Sequence, residues 1–310
     1  MLNVHGIRLD VRSLGCVVVV VGLMPALAET LVISPFGPPD PGQGEGCVSL
    51  NEPGTVSVFH SRRPDGSGGY DLWISRRQGQ IWSTPVNAGP GVNSTEHEID
   101  AALSADGTTL FFTRSAYGGA TALAALGAIP DKKTDIYAAR WRAGKWEQAE
   151  KLPSPLNLAE SAEFRAVPSP DGKRLYFGSN RPGGLGGYDI YVSERTEGGW
   201  GVPVNLGAPL NSPGDEVDAA VAPHGRTLIL AKRSRPSEGQ RLVISHLRDG
   251  AWSAPADMGP RFNTGAGDGC PWLGYDGTSL YVNSSARSIL PFPPVNPGHA
   301  VWVFTYSKGF

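Results

Sequence analysis

The chain has 310 residues, a formal net charge of −2 and a sequence pI near 6.3. A charge so close to zero gives no electrostatic basis for binding nucleic acid or an anionic membrane surface, so neither is predicted as a partner. Its 41 glycines and 27 prolines, beside a hydrophobic content of 40%, are typical of many short strands and tight turns around a packed core.

The first 28 residues have the pattern of an export signal. Arg8 and Arg12 give a positively charged start, residues 14–23 are apolar, and the sequence PALA at 25–28 offers a cleavage site. The apolar run is too short to span a membrane, so we predict a signal peptide that is removed, with an uncleaved anchor as the alternative. The mature chain, 29–310, is then one exported domain, periplasmic or extracellular, without a membrane span.

A repeated unit fills the rest of the chain. The segment FHSRRPDGSGGYD at 59–71 aligns without a gap with FGSNRPGGLGGYD at 177–189, and WSTPVN at 82–87 aligns with WGVPVN at 200–205. Turn glycines recur about every 50 residues, a period typical of propeller blades, at Gly54, Gly107, Gly172, Gly225 and Gly277. Each unit predicts four strands: a short inner strand, an apolar second strand after the turn, a third after a Gly-rich loop, and an outer strand that starts at a tryptophan.

The fifth unit ends at Tyr306, before any tryptophan strand. Residues 31–38 resemble 201–208, so the N-terminal segment is predicted to be the outer strand of the last blade and to close the ring. The predicted fold is an all-β, five-bladed β-propeller of four-stranded blades.

The motifs SPDGKRLYF at 169–177, SNRPGG at 179–184 and GGYDIYVS at 186–193 resemble the WD40-like PD40 repeat. This repeat occurs in TolB-like propellers and in propellers joined to OmpA-like domains. The resemblance covers residues 30–306 and implies an envelope-associated scaffold, with some relatives active on carbohydrates. It is specific for the fold and says little about function.

Two columns of aligned residues lie at the start of the inner strands. The first column is acidic in all five units: Glu45, Glu98, Glu163, Glu216 and Asp268. A ring of like charges at a channel mouth predicts a site for Ca²⁺, a cationic ligand or a sugar. The alternative is structural: each acid bonds backbone N–H groups or an arginine of its own or the next blade.

The second column breaks the repeat: Cys47, Asp100, Arg165, Asp218 and Cys270. Such departures are where function is grafted onto a repeated fold, so Arg165 joins the first column as a predicted ligand-binding residue. Cys47 and Cys270 belong to units one and five, which are neighbours in a closed ring. Export favours a disulfide between them, and two buried thiols are the alternative.

The remaining candidates are weaker. Glu98, Asp100 and Asp218 are possible acid/base groups, and His97, which lies between Glu96 and Glu98, is a candidate ligand or catalytic group. The aspartates Asp71, Asp135 and Asp189 are expected to organise the Gly-rich loops, through backbone bonds or bonds to Arg63 and Arg181. The repeated tryptophans Trp82, Trp146, Trp200 and Trp252 are expected to pack between blades, with sugar stacking as the minor alternative. Insertions at 116–133 and 286–299 are candidate binding loops.

Three functions remain open from the sequence. The favoured one is an exported scaffold, not an enzyme, that binds an envelope protein or a polysaccharide through the channel face and the insertions. The second is a glycan hydrolase or lyase that uses channel-mouth carboxylates, with or without a metal. The third is a purely structural envelope protein.

Overall fold

A computed structural model describes residues 3–4, 7–8, 31–36, 45–116, 134–235, 238–263, 268–284, 300–306 and 309–310. No helix in this part of the chain has the length and apolarity that a membrane crossing requires. Most of the predicted signal peptide lies outside the described residues, which near the N-terminus form only a hairpin of β1 (Asn3–Val4) and β2 (Ile7–Arg8). The two predicted insertions also lie outside them, apart from Ala116.

Five sheets correspond to the five predicted units and confirm the five-bladed propeller. Blade 1 contains β4 (Gly46–Leu50), β5 (Val56–Ser61), β6 (Asp71–Gln78), β7 (Ile81–Trp82) and β8 (Val86–Asn87). Blade 2 contains β9 (His97–Leu103), β10 (Thr109–Ser115), β11 (Thr134–Arg142), β12 (Lys145–Trp146) and β13 (Glu150–Lys151). Blade 3 contains β14 (Glu163–Pro168), β15 (Arg174–Ser179), β16 (Asp189–Thr196), β17 (Gly199–Trp200) and β18 (Val204–Asn205). Blade 4 contains β19 (Asp215–Val221), β20 (Thr227–Arg233), β21 (Arg241–Arg248), β22 (Ala251–Trp252) and β23 (Ala256–Asp257).

Blade 5 combines both ends of the described propeller. Its sheet has the order β24 (Asp268–Leu273), β25 (Ser279–Ser284), β26 (Ala300–Tyr306) and β3 (Leu31–Pro35). The pairing of β26 with β3 is antiparallel and sets Val303 opposite Ser34 and Phe304 opposite Ile33. The N-terminal segment therefore occupies the outer position of this sheet.

The outer strand of blades 1–4 is two short pieces, and both pair with the third strand of the same blade. In blade 1, Pro85 lies between β7 and β8, and proline has no N–H to give to a ladder. Prolines at the same place in blades 3 and 4, Pro203 and Pro255, also separate the two pieces. The interruption is tolerated because this strand forms the edge of the sheet.

The hydrophobic core lies between the faces of neighbouring sheets. Val58 and Leu72 of blade 1, for example, pack with Leu103, Leu110 and Phe112 of blade 2, and all five side chains are buried. The inner strands β4, β9, β14, β19 and β24 each contact the inner strands of both neighbouring blades. They therefore surround a central axis, and the second column lies on this inner layer.

Antiparallel pairing brings three kinds of strand end to one side of the ring: inner-strand starts, second-strand ends and third-strand starts. We call this side the loop face; among the described residues it carries the complete connections 62–70 and 180–188. The opposite side, the turn face, carries the five repeated glycines, whose φ values lie between 63° and 70°. Glycine suits these turns because L side chains rarely adopt positive φ.

Candidate functional site

The first column lies at the loop-face end of the inner strands, and its side chains are fully buried. Glu98 accepts hydrogen bonds from the backbone N–H of Ser94 at 3.0 Å, from Ser94 Oγ at 2.5 Å and from Arg114 Nε at 2.8 Å. Arg114 in turn donates from Nη2 to the carbonyl oxygen of Val92 at 2.9 Å. The carboxylate therefore ties the connection before blade 2 to the blade itself.

The same arrangement recurs around the ring. In four blades the glutamate meets a cation at the end of the second strand: Arg63 for Glu45 at 2.6 Å, Arg114 for Glu98 at 2.8 Å, Arg181 for Glu163 at 3.3 Å and Lys232 for Glu216 at 3.1 Å. A serine hydroxyl also donates to each of these glutamates. These contacts match the structural alternative, and we do not propose Ca²⁺ at this ring.

Two of the first-column acids have a shifted pKa. Burial raises the pKa of Glu98 and of Glu216, while hydrogen bonds from Ser94 and Ser212 and the nearby cations oppose the shift. A buried carboxylate is stable only when such partners are present, because desolvation of an unpaired charge costs several kcal/mol, of the order of 3–5 kcal/mol when one partner is removed. The cations are therefore part of the blade architecture.

The second column lies at a bulge in each inner strand. The pairing of the inner and second strands shifts register at this place in every blade. Four of the five residues have positive φ: Cys47 at 50°, Asp100 at 56°, Arg165 at 53° and Cys270 at 50°. A bulge re-aims a side chain, and here it brings the five side chains of the column together at the axis.

Arg165 is the centre of this group, and its side chain is completely buried. Its Nη2 donates to the carbonyl oxygen of Pro271 on blade 5 at 3.0 Å, and its Nε lies 3.8 Å from Asp218 Oδ1. Its backbone N–H donates to Thr113 Oγ1 of blade 2 at 3.0 Å. One arginine thus contacts blades 2, 4 and 5 from its place on blade 3.

Asp100 and Asp218 lie on either side of Arg165 in the ring order. Asp218 accepts a hydrogen bond from the backbone N–H of Cys270 at 2.8 Å. Desolvation raises the pKa of Asp100 to about 6, opposed by Arg165 and increased by the negative charge of Asp218. The guanidinium of Arg165 therefore acts on both acids.

Cys47 and Cys270 form a disulfide, with their Cα atoms 5.0 Å apart. The bond joins the inner strands of blades 1 and 5, which is the seam where β3 joins the last blade. Asp100 lies beside it: a carboxylate oxygen and the two sulfur atoms lie within 4.8 Å of one another.

His97 is buried and holds a seam between blades. Its Nδ1 accepts a hydrogen bond from the backbone N–H of Tyr70 at 3.0 Å. Asp215 is the equivalent residue of blade 4, and its Oδ1 accepts from the backbone N–H of Tyr188, also at 3.0 Å. Burial, with the positive charge of Arg62, lowers the pKa of His97, so the neutral imidazole is favoured. The guanidinium of Arg62 stacks over the Tyr70 ring at 4.3 Å and is exposed on the loop face.

Two of the three third-strand aspartates organise the Gly-rich loops through the backbone, whereas the third, Asp135, lies 2.7 Å from Lys151 Nζ. Asp71 accepts from the N–H of Ser67, and Asp189 accepts from the N–H of Leu185 at 2.6 Å. Of the two predicted modes, the backbone mode is found. Arg63 and Arg181 bond the first column instead, as given above.

Sequence reasoning missed a column of asparagines that precede the acids. Each side-chain amide hydrogen-bonds both backbone groups of one third-strand residue. Asn93 Oδ1 accepts from Leu72 N–H at 2.9 Å, and Asn93 Nδ2 donates to Leu72 O at 3.0 Å. The equivalents are Asn157 on Ile136, Asn211 on Ile190 and Asn263 on Leu242. An asparagine recurs a few residues before the acid in blades 2–5, and that regularity was a usable signal.

The tryptophans pack between blades. Trp200 of blade 3 meets Phe111 of blade 2 with ring centroids 6.2 Å apart, and Trp82 of blade 1 meets Phe36 at 5.4 Å. Trp200 also lines a cavity of about 380 Å³ on the turn face, with Phe111 and Arg195. The sugar-stacking alternative therefore has one geometric candidate, on the opposite side from the second column.

No protein-family model matches the sequence, and no curated protein sequence matches it. Solved structures do match the fold. TolB from Acinetobacter baumannii matches at 13% identity and a TM-score of 0.50 over 86% of this chain, which spans only 55% of that TolB chain.

Two glycosidase structures match at the same TM-score of 0.50 and at 14% identity. An alpha-L-arabinofuranosidase from Lactobacillus brevis matches over 86% of this chain and 93% of its own, and a thermostable family-43 glycoside hydrolase over 88% and 96%. At such identities these likenesses establish the propeller fold and leave function to the residues of this chain.

Proposed function

We propose that this chain is an exported β-propeller that binds a protein or a glycan at the loop face, through the channel mouth and the connections around it. The observation that carries this proposal is the state of the first column. Its glutamates are fully buried and engaged by serines and cations of the propeller. Acids held in this way support a rigid binding surface and are poorly placed to exchange protons with a substrate.

The described part of the loop face supports binding chemistry. Arg62 and Asp65 are exposed on the connection of blade 1, and Leu185, half exposed, lies on that of blade 3. A surface that combines charged groups, an arginine stacked on an aromatic ring and an apolar side chain suits a protein or a hydroxylated ligand. The insertions at 116–133 and 286–299 remain predicted contributors.

Export and membership of the PD40 repeat family are parts of the same proposal. The Cys47–Cys270 disulfide supports export, because disulfides persist in oxidising compartments. The repeated motifs and the fold shared with TolB support a PD40-type propeller. We propose an envelope protein or polysaccharide as the partner, and the periplasm or the cell exterior as the location.

A glycan hydrolase or lyase is the second candidate function. It is favoured by Asp100, a partly exposed channel residue whose pKa is raised to about 6, the direction expected of a general acid. Asp218 is the carboxylate that would accompany it. The predicted catalytic roles of Glu98 and His97 receive no such support, since both are buried and bonded within the propeller.

One experiment separates the candidates. The purified mature chain is heated with muropeptide fragments or with arabinan and xylan oligosaccharides, and the same mixtures are assayed for new reducing ends or unsaturated products. Binding alone predicts a saturable rise in the unfolding midpoint without products, abolished by Arg62→Ala or Asp100→Asn. Product formation that Asp100→Asn abolishes would replace the proposal with the hydrolase or lyase.

A further inference from the structure

The disulfide and Asp100 bring together three groups that bind metals. The sulfur atoms of Cys47 and Cys270, which are bonded to each other, and a carboxylate oxygen of Asp100 lie within 4.8 Å of one another. The three residues come from blades 1, 5 and 2, and the bulges of their inner strands orient them. Both cysteines are buried, and Asp100 is half-buried.

The donor set matches a particular class of cation. Thiolates and carboxylates are both ligands of Zn²⁺, and three protein ligands leave a fourth tetrahedral position for water or another donor. A disulfide supplies no thiolate, so the oxidised protein lacks two of the three donors. Metal binding and the disulfide are therefore mutually exclusive states of one site.

The surrounding charges favour a cation. The second column holds two carboxyl groups, those of Asp100 and Asp218, and one guanidinium, that of Arg165. An excess of carboxyl groups over cations attracts a metal ion. Asp218 accepts from the N–H of Cys270, and Asp100 is the carboxylate with an oxygen beside both sulfur atoms, so Asp100 is the one placed for coordination.

We propose that reduction of the Cys47–Cys270 disulfide creates a binding site for Zn²⁺, formed by the two cysteine thiolates and Asp100. A dithiol reductant supplies two electrons and two protons to the disulfide and is itself converted to a disulfide. Binding of the metal then releases the two thiol protons to solvent. The seam between blades 5 and 1 is thus held by a sulfur–sulfur bond in the oxidised protein and by a sulfur–zinc–sulfur bridge in the reduced protein.

The test compares the oxidised and reduced full chain. The phosphine-reduced and the untreated protein are titrated with Zn²⁺ and with Co²⁺, whose thiolate charge-transfer and tetrahedral d–d absorption bands report coordination. The reduced chain is expected to bind one ion, to show both sets of Co²⁺ bands, and to lose reactivity of its thiols toward an alkylating agent when Zn²⁺ is present. The oxidised chain is expected to show none of these effects.

Matched variants assign the ligands. Asp100→Asn is expected to weaken Zn²⁺ binding to the reduced chain by more than the roughly 10–100-fold that loss of an outer-shell partner costs, and Cys270→Ser is expected to abolish the charge-transfer band. Asp106→Asn, a change on the exposed turn face, is the control and should bind as the wild type does. If the Cys270→Ser chain does not fold, Asp100→Asn retains the disulfide in its oxidised form and still decides the question.

The proposal is overturned if the reduced wild type binds no ion, or if Asp100→Asn binds as tightly as the wild type. It is also overturned if the oxidised chain binds Zn²⁺ equally well, since the thiolates would then not be the ligands.

Discussion

Arg165 of blade 3 donates a hydrogen bond from Nη2 to the carbonyl oxygen of Pro271 of blade 5, at 3.0 Å. The two blades are not neighbours in the ring, so this bond crosses the central axis. The guanidinium is buried and is also the positive group between Asp100 and Asp218. One buried side chain therefore links blades 3 and 5 and places a positive charge beside the acid Asp218.

The first prediction concerns this arginine. Arg165→Met replaces the only cation of the second column with an apolar side chain of similar length. Asp100 and Asp218 then lack their shared positive partner. We expect the free energy of unfolding to fall by about 3–5 kcal/mol, as when one partner of a buried ion pair is removed. Urea denaturation measures the change, with the exposed Arg62→Met as the control. An effect as small as that of the control would show that Arg165 is not needed to balance the acids.

The second prediction concerns the pH dependence caused by Asp100. Its pKa in the folded protein is about 6 against an ordinary value of 3.8, so the folded state favours the protonated acid. The resulting stabilisation is complete below about pH 4 and is lost as the pH rises through 6. We expect Asp100→Asn to be more stable than the wild type at pH 7, by about 1–3 kcal/mol, with a smaller difference at pH 4. Denaturation at the two pH values measures this, and a difference that does not depend on pH would contradict it.

The third prediction concerns His97, whose pKa is lowered from 6.5. Its neutral Nδ1 accepts from Tyr70 N–H, so its contribution to stability is complete above pH 6.5 and is lost as the pH falls through the lowered pKa. His97→Asn retains an acceptor without the titration, and we expect the wild type to lose stability relative to this variant below pH 6. His97→Ala should cost about 1–3 kcal/mol at pH 7, because it leaves a buried N–H without a partner. Parallel acid-side slopes for the wild type and His97→Asn would refute the assignment.

The fourth prediction concerns the disulfide. Its cysteines are 223 residues apart in sequence, so the chain-entropy account gives a stabilisation of about 5 kcal/mol. The double variant Cys47→Ser, Cys270→Ser should unfold at lower urea concentration than the oxidised wild type and at the same concentration as the reduced, metal-free wild type. Equal stability of the oxidised wild type and the double variant would show that the bond does not hold the seam.

The sequence predicts the fold well because blade architecture is periodic. Repeated glycines, tryptophans and prolines fix the period and the strand order, and the likeness of 31–38 to 201–208 anticipated the pairing of β3 with β26. The residues of the second column could be identified because they differ among blades that are otherwise alike.

The contacts of the site are less predictable from sequence. A column of acids is compatible with a charged channel entrance and also with five carboxylates that bond within the blades. The sequence does not show that Arg63 lies beside Glu45 or Lys232 beside Glu216, because packing brings them together. The positive φ of Asp100 and Arg165 arises at bulges that depend on pairing with the second strand. Arg165 reaches Pro271 because the ring closes, which no local pattern encodes.

Cross-linking from the loop face tests the central claim most directly. A photo-reactive phenylalanine analogue is placed at position 65 on the loop face, which leaves Arg62 intact, or at position 106 on the turn face as the matched control. The protein is then mixed with a cell-envelope extract and irradiated. We predict a specific cross-linked protein or glycan from position 65 that Asp100→Asn or excess untagged wild type reduces, and none from position 106. Cross-links from position 106 alone, or none from either position, would contradict a binding function at the loop face.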